Sequence, residues 1–427
     1  MKTKLFLFVV LITTQFSFSQ GRTCGTEEKM QQILFNPILK KADDERKAKF
    51  EIEYNRLLSN RSNNNAIARA TINIPVAVHF PEVSNTTSAA NKACLRALAQ
   101  TQIDVINADY NAANADAAAN WPSASAFYPG VVLGNLDVNF QIATQNHPAG
   151  TGLSNGMVAV TFGTDYLGGA DSDATWAGYM NFVVRDLGSG LLGYSPLRGS
   201  PSAGHTVVMN TWCFGTGSGC TVDGVSYVPQ APFNLGRTVT HELGHFFNLD
   251  HIFKSASASA TNCGGQDADG VADTPKQAAA TYGCIAPGSK NACTSPQKVL
   301  SMNYMDYSDD ACMYMFTDGQ KTRMLAYINT ILSQYNSNVL STQLNSLSNF
   351  SIYPNPNKGQ FSISFNEISS EYKITILDAS ARVVYESNLS DSGNLIHNVQ
   401  LPSSAAGFYI ITISNGTNLV TKKLLVN

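Results

Sequence analysis

Apolar residues along this chain fall into distinct regimes. Lys2 and Lys4 precede an apolar run at 5–12, and the small-x-small Ser17-Phe18-Ser19 closes it, so residues 1–19 have the three parts of a cleavable export signal. Over 20–70 the apolar spacing dissolves. Residues 27–58 are charged and helix-prone, as in Lys40-Lys41-Ala42-Asp43-Asp44-Glu45-Arg46-Lys47, and 59–65 is a polar linker. That is the makeup of a propeptide with a cleavable tail. From about 71 the periodicity returns. Residues 72–80 alternate as a strand, and 91–111 carry Leu95, Leu98, Ile103, Val105 and Ile106 at helical spacing. Leu136, Val138, Phe140 and Ile142 mark a half-buried strand. Strands are also predicted at 180–186 and 205–210, so 71–340 reads as one α/β (α+β) domain. After a polar linker at 341–350, short strand-like runs at 360–365, 372–377, 382–385, 394–401, 407–414 and 419–426 predict an all-β sandwich over 351–427.

Length and charge narrow the function. A chain of 427 residues predicts more than one domain, and a net charge of -3 shows no basic surplus, which argues against a nucleic-acid partner. No later stretch approaches the ~18 unbroken apolar residues of a membrane span, so the expectation is an exported, soluble protein with no transmembrane segment. Eight cysteines in such a chain point to disulfides. Cys213 and Cys220 are expected to pair locally, whereas Cys263, Cys284, Cys293 and Cys312 allow three pairings. The Gly-rich loop at 188–193 fits neither a P-loop nor a dinucleotide fingerprint.

The chemistry concentrates in His241-Glu242-Leu243-Gly244-His245-Phe246-Phe247-Asn248-Leu249-Asp250-His251, which holds three of the seven histidines. On a helix, residues four apart share a face, so His241 and His245 can aim imidazole nitrogens at one ion. Glu242 sits about 100° further round. It is badly placed as a ligand and well placed as a general base. His251 is reachable only if the chain turns sharply, and Asn248 is the residue suited to the left-handed conformation that does this. Three histidines leave a fourth zinc position open for water, whose pKa falls to ~7 there. A solvated amphipathic helix or a closed structural site is the bland alternative, but the third histidine weighs against the first and the absence of thiolates in the motif against the second. His79, His147 and His205 stand alone and are expected to be structural. Cys24, in Arg22-Thr23-Cys24-Gly25-Thr26, can fill the open zinc position as a thiolate and hold a zymogen latent; a Cys24–Cys94 disulfide is the competing reading. The cluster Asp267-Ala268-Asp269-Gly270-Val271-Ala272-Asp273-Thr274 offers oxygen ligands for calcium, although no glutamate closes an EF-hand.

The His241–His251 stretch resembles the metzincin signature HExxHxxGxxH, with Asn248 in the usual glycine position. Ser301-Met302-Asn303-Tyr304-Met305-Asp306-Tyr307-Ser308 is similar to the Met-containing turn of the pappalysin (cytophagalysin) branch, and the likeness spans roughly 71–340. The resemblance implies a metzincin-like catalytic domain with a long zinc-binding helix, acting as a zinc endopeptidase on protein or peptide substrates. It places Met305 beneath the metal and makes Tyr307 the phenol that binds the oxyanion. It favours calcium, with Asp269 and Thr274 the best ligands. It pairs Cys263 with Cys293 and Cys284 with Cys312, which leaves Cys94 without a role if Cys24 is the switch. Asp309 and Asp310 fall where metzincins wall the pocket for the residue after the cut bond, which implies a preference for Arg or Lys and makes Asn60-Arg61 a plausible self-cleavage point. Residues 351–427, with Gly407-Phe408-Tyr409 and the ending Lys422-Lys423-Leu424-Leu425-Val426-Asn427, resemble the sorting domain of type IX secretion cargo, which implies that secretion machinery as a partner. A secreted adhesive protein with a non-catalytic zinc site is the rival reading.

Overall fold

Two compact units, Met1–Leu340 and Ser341–Asn427, make up the computed structural model. It describes residues 21–62, 70–163, 172–263, 269–340, 350–365, 372–380, 382–389, 396–401, 406–414 and 419–427. The expected export signal and the linker at 341–349 lie outside the described residues.

The first unit opens with helices α1 (Thr26–Phe35) and α2 (Pro37–Ser62). Pro37 occupies the first helical position, where its missing N–H leaves nothing unpaired. α2 continues through Ser59, Asn60 and Arg61, which the sequence reading gave to a linker. Its Phe50 is buried, 6.5 Å from the ring of Tyr327, and tertiary packing of this kind outweighs the modest helix propensity of Ser and Asn at the end.

The core is a mixed sheet. β1 (Ile72–Phe80) runs parallel to β2 (Val138–Ile142), to β3 (Val160–Phe162) and to β4 (Met180–Arg185). A two-residue edge strand, β5 (Gly193–Tyr194), lies antiparallel to β6 (Thr206–Asn210), which is itself parallel to β4. The order is β2-β1-β4-β6-β5. Parallel strands are covered on both faces, and every residue of β1 except Asn73 is buried although the strand alternates in sequence. Helix α3 (Ala89–Tyr110) buries Leu95, Leu98, Ile103 and Ile106, the stripe expected from its period, and α4 (Ala115–Ala124) follows it. After the hairpin β7 (Cys220–Val222) and β8 (Val225–Tyr227) comes α5 (Arg237–Phe246), the helix bearing His241, Glu242 and His245. β9 (Phe253–Ser255) pairs with β10 (Gln277–Ala279), and α6 (Asp318–Ile331) closes the unit behind a capping box of Thr317 and Gln320.

Disulfides join Cys263 to Cys293 and Cys284 to Cys312. The local Cys213–Cys220 pair does not form. Cys220 begins the β7 hairpin beside α3 and bonds to Cys94, while the buried Cys213 turns its thiol to the carbonyl of Leu192 at 3.1 Å. Proximity in sequence was a poor guide because the seven-residue step crosses from the end of the central sheet to a different layer. With Cys94 committed, the Cys24–Cys94 alternative is also removed, and Cys24 is free of any disulfide.

The second unit is all-antiparallel. β11 (Phe350–Tyr353), β12 (Gln360–Phe365) and β15 (Ile396–Gln400) form one sheet; β14 (Val383–Leu389), β13 (Tyr372–Leu377), β16 (Gly407–Ser414) and β17 (Leu419–Val426) form the other. Alternate residues turn inward, so Ile374, Ile376, Ile411 and Ile413 share a buried core with Phe361 and Ile363.

His79 lies inside the first sheet, with Nδ1 2.7 Å from Thr161 Oγ1, Nε2 3.1 Å from Asn181 Oδ1, and its ring against Trp176. It is a satisfied core residue. Burial drives its pKa down to about 3. The unfolded chain, with an ordinary imidazole near 6.5, therefore takes up a proton that the folded chain refuses, and stability falls as pH drops from about 6.5 towards 3. Replacing His79 by Gln should remove this component. Denaturant titrations should show wild type losing about 2 kcal/mol more than His79→Gln between pH 7 and pH 5; equal losses would show that His79 does not resist protonation.

Candidate active site

Gly236, at a φ of 75°, turns the chain into α5, and every residue of the helix is buried. His241 and His245 lie one turn apart on the same face. The helix ends with the N–H of Phe247 on the carbonyl of Leu243 at 3.0 Å and that of Leu249 on Gly244 at 2.9 Å. Asn248 takes a φ of 72°, so the left-handed turn expected there is present, and it brings His251 back over the helix. The three Nε2 atoms then stand 3.1–3.2 Å apart.

That triangle tests the fit of a metal. The Nδ1 of His241 donates to the carbonyl of Tyr304 at 2.6 Å and that of His245 to Leu249 at 2.7 Å, so both Nε2 atoms present lone pairs. Lone pairs converging in a buried site repel one another unless a cation lies between them. A tetrahedral ion at ~2.0–2.1 Å from each nitrogen would separate the nitrogens by about 3.3 Å, so the residues present suit zinc. Burial and mutual repulsion push His241 and His245 well below their ordinary pKa, which keeps them neutral and able to ligate.

Glu242 is 1% exposed, and burial raises its pKa to about 7. It accepts hydrogen bonds from the thiol of Cys24 and the hydroxyl of Thr26, each at 3.2 Å. Met305 packs directly against the helix at Gly244: a Cβ there would sit 2.6 Å from the Met305 sulfur and force that side chain to move. The Tyr307 ring packs 5.0 Å from that of His251 and 4.7 Å from Phe253. Burial drives its phenol pKa upward, so the hydroxyl keeps its proton.

Residues 22–25 lie along the edge of the sheet. The N–H of Leu192 bonds to the carbonyl of Thr23 at 3.2 Å and that of Gly25 to Gly193 at 3.0 Å, which adds a parallel strand to β5. This brings the Cys24 sulfur within 4.8 Å of the ligating atoms of all three histidines. Two residues earlier, Arg22 enters a closed pocket. Its Nη2 meets Asp310 at 2.5 Å, its Nη1 donates to Thr238 Oγ1 at 2.9 Å, its Nε to the Ser308 carbonyl at 3.2 Å, and Phe233 lies against the guanidinium. Asp310 is wholly buried and also accepts the N–H of Leu235 at 2.8 Å. Asp309, partly exposed, takes no part in this ion pair. Behind α5, Asp43 of α2 binds Arg198 at 2.7 Å, and Arg198 donates to the side chain of Asn248 at 3.2 Å. Thr26, Thr238 and Arg198 escaped the sequence reading because none of them stands in a spaced motif.

Asp269 and Thr274 come together in the long loop, the Thr274 hydroxyl reaching both carboxylate oxygens at 2.9 and 2.7 Å. Burial raises the Asp269 pKa to about 7. Asp273 instead caps α6, accepting from Thr317 and from the N–H of Gly319.

Three converging histidines, a neighbouring carboxylate that does not ligate, and an edge strand bordering the cleft define a metallopeptidase domain. Residues 173–329 match the peptidase M43 family, described as pregnancy-associated plasma protein-A, and 351–427 match the secretion system C-terminal sorting domain. An extracellular metalloprotease from Neurospora crassa is 38% identical over 160 residues, which is 37% of this chain and 49% of the relative. One from Arthroderma benhamiae is 39% identical over 152 residues, 35% of this chain and 50% of that one. The matched region thus spans about half the length of these fungal relatives. A mutant of Tannerella forsythia promirolysin has a similar structure, with 30% identity, a TM-score of 0.52, and coverage of 73% of this chain and 95% of that one. The chain belongs to the peptidase M43, or pappalysin, family of metallopeptidases. With its sorting domain and extracellular relatives, it is a secreted protein, and among the described residues no helix is long and apolar enough to cross a membrane.

Asn248 gives a direct test of the turn that brings in the third histidine. Asn248→Gly adopts a φ of 72° freely, whereas Asn248→Val pays the left-handed strain of a β-branched residue, about 1–3 kcal/mol. Thermal unfolding should rank the variants in that order, with zinc per chain lowest in Asn248→Val. Equal zinc content and stability in both would mean that the backbone conformation at 248 does not govern the site.

Proposed function

We propose that this chain is a zinc-dependent endopeptidase, made as a zymogen, that cuts polypeptides before arginine. The observation that carries this reading is the fit of its own residues 22–24 to the cleft, with Arg22 on Asp310 and Cys24 beside the histidines. A segment that occupies a protease cleft this way has the features of a substrate except for the bond to be cut. The parallel direction of the added strand and the thiol at the metal position both favour a blocking role.

His241, His245 and His251 would hold zinc, and bound zinc supplies Lewis acidity toward the scissile carbonyl and the attacking water. The edge of β5 aligns the substrate backbone through the Leu192 N–H and the Gly193 carbonyl. Glu242 takes the proton of the attacking water and later delivers it to the leaving amine. Tyr307, held protonated by burial, donates to the developing oxyanion. An arginine after the scissile bond replaces Arg22 on Asp310, Thr238 and the Ser308 carbonyl. Three directional acceptors and an aromatic wall favour a guanidinium over the point charge of lysine. Asp309 lies outside the Arg22 ion pair and has no pocket role in this reading.

Latency in this reading has two contacts at the centre: Cys24 would supply its sulfur to bound zinc, and Thr26 donates to the same Glu242 Oε2 that the Cys24 thiol reaches. Activation requires loss of residues up to about 70. A cut at Asn60-Arg61 would first need the last turn of α2 unwound, since it is helical as far as Ser62. Asp269 and Thr274 are proposed to contribute to a calcium site, a reading supported by the buried Asp269 carboxylate with the Thr274 hydroxyl against both its oxygens. The sorting domain is proposed to engage type IX secretion machinery.

Glu242→Ala in the processed protein should keep its zinc yet lower kcat/KM roughly 10²–10⁴-fold. Cys24→Ala should let the unprocessed chain cleave peptide that the unprocessed wild type leaves intact. Asp310→Asn should reduce cleavage before arginine on the order of 100-fold while sparing other bonds. Processed, zinc-loaded protein that cuts no peptide in a denatured-protein library would sink the proposal.

A further inference from the structure

Two of the three histidines have their outer nitrogens accounted for within the motif or the N-terminal segment. His245 bonds to the carbonyl of Leu249, at the end of its own helix, and His251 has Glu27 of α1 3.8 Å from its Nδ1. His241 differs: its acceptor, the carbonyl of Tyr304, lies 63 residues away in sequence. The orientation of His241 therefore depends on how the loop carrying Tyr304 is held against α5.

A single buried carboxylate grips both parts. Asp109, in the last turn of α3, is 1% exposed. Its Oδ1 accepts the hydroxyl of Tyr304 at 2.8 Å and a bond from Arg237, the first residue of α5. Its Oδ2 accepts the hydroxyl of Thr240 at 2.6 Å, and Thr240 immediately precedes His241. Next along α3, the Tyr110 hydroxyl donates to the Thr240 carbonyl at 3.0 Å. The Tyr304 hydroxyl is in turn fixed from the other side by Asn114 Nδ2 at 3.0 Å. The carboxylate thus ties the backbone that carries His241 to the residue that accepts its Nδ1–H.

We propose that Asp109 is a positioning residue for the metal centre, acting through Tyr304 and Thr240 to hold the His241 imidazole with Nε2 toward the ion. The proposal rests on the zinc-peptidase reading of the site. A buried network that served only folding would have no reason to converge on the two residues that set one ligand's position. It would alter unfolding when cut, and leave the ion's surroundings as they were.

The separating variant is Tyr304→Phe. It removes one hydroxyl, keeps the ring packed on Phe316, leaves Asp109 bonded to Arg237 and Thr240, and leaves Asn114 Nδ2 its second acceptor, the Tyr314 carbonyl at 3.2 Å. The full-length chain would be loaded with zinc and titrated with a competing chelator, and the cobalt-substituted chain examined by visible absorption. Tyr304→Phe should surrender zinc at least about 10-fold more readily than wild type, shift the cobalt bands, and melt in its metal-free form within a few degrees of wild type. Asp109→Asn should move zinc affinity further in the same direction. If it fails to fold because Arg237 is left unpaired, Tyr304→Phe decides alone. Wild-type zinc retention and cobalt bands in Tyr304→Phe, whatever its melting temperature, would overturn the positioning role. A wild-type chain that holds no zinc would instead overturn the metallopeptidase reading on which it stands.

Discussion

Three imidazole nitrogens within 3.2 Å of one another, on buried histidines, are the constraint around which the first unit is built. Without a cation between them, that arrangement costs desolvation and repulsion together. With one, the same geometry becomes a strong, directional attraction. Much of the local structure has the task of keeping the triangle in place. Gly236 sets the angle of entry of α5, Asn248 reverses the chain, Gly244 admits Met305 beneath the helix, and the carbonyls of Tyr304 and Leu249 fix two of the rings. The parallel sheet behind α5 provides the rigid body against which these loops are set.

The cleft in front of this centre is filled by the chain itself, and its energetics explain why a small segment suffices. Asp310 is wholly buried, so leaving it without a partner would cost several kcal/mol, and Arg22 supplies the missing charge through one hydrogen bond to it while its other donors reach Thr238 and the Ser308 carbonyl. In the proposed reading, a substrate arginine would meet the same need for a partner. The backbone bonds to β5 contribute register and little selectivity, since any extended segment can make them. In the proposed reading, selectivity would come from the pocket and the block on chemistry from Cys24 and Thr26, which both bond to Glu242. At the rear, the Asp43–Arg198–Asn248 chain links α2 to the turn between His245 and His251, so the N-terminal helices and the metal site share one network.

The sequence and the structure agree best where a periodic or spaced signal exists. β1, β12, β13, β16 and β17 begin and end where alternation begins and ends. α3 is legible because its buried stripe, from Leu95 to Tyr110, keeps a 3.6-residue period over about four turns. β11, four residues beside a proline-rich turn, and the two-residue β5 carry too little pattern to mark them in the sequence, even though β5 borders the cleft. The disulfides divide in the same way. The pairs Cys263–Cys293 and Cys284–Cys312 followed from family resemblance, and Cys94–Cys220, 126 residues apart, carried no local trace.

What the sequence by itself determined is the chemistry that one helix and one turn can carry. His241, Glu242 and His245 at fixed helical spacing, a left-handed Asn248 and a third histidine suffice because short-range geometry alone relates them. What only the tertiary structure decided is how separated segments complete one another. Asp310 rather than Asp309 meets Arg22, Thr26 reaches Glu242, and Asp109 holds Tyr304 against the zinc helix across almost two hundred residues. No spacing rule links such residues, because their proximity is fixed by the packing of whole elements into a common core and not by the path of the chain between them.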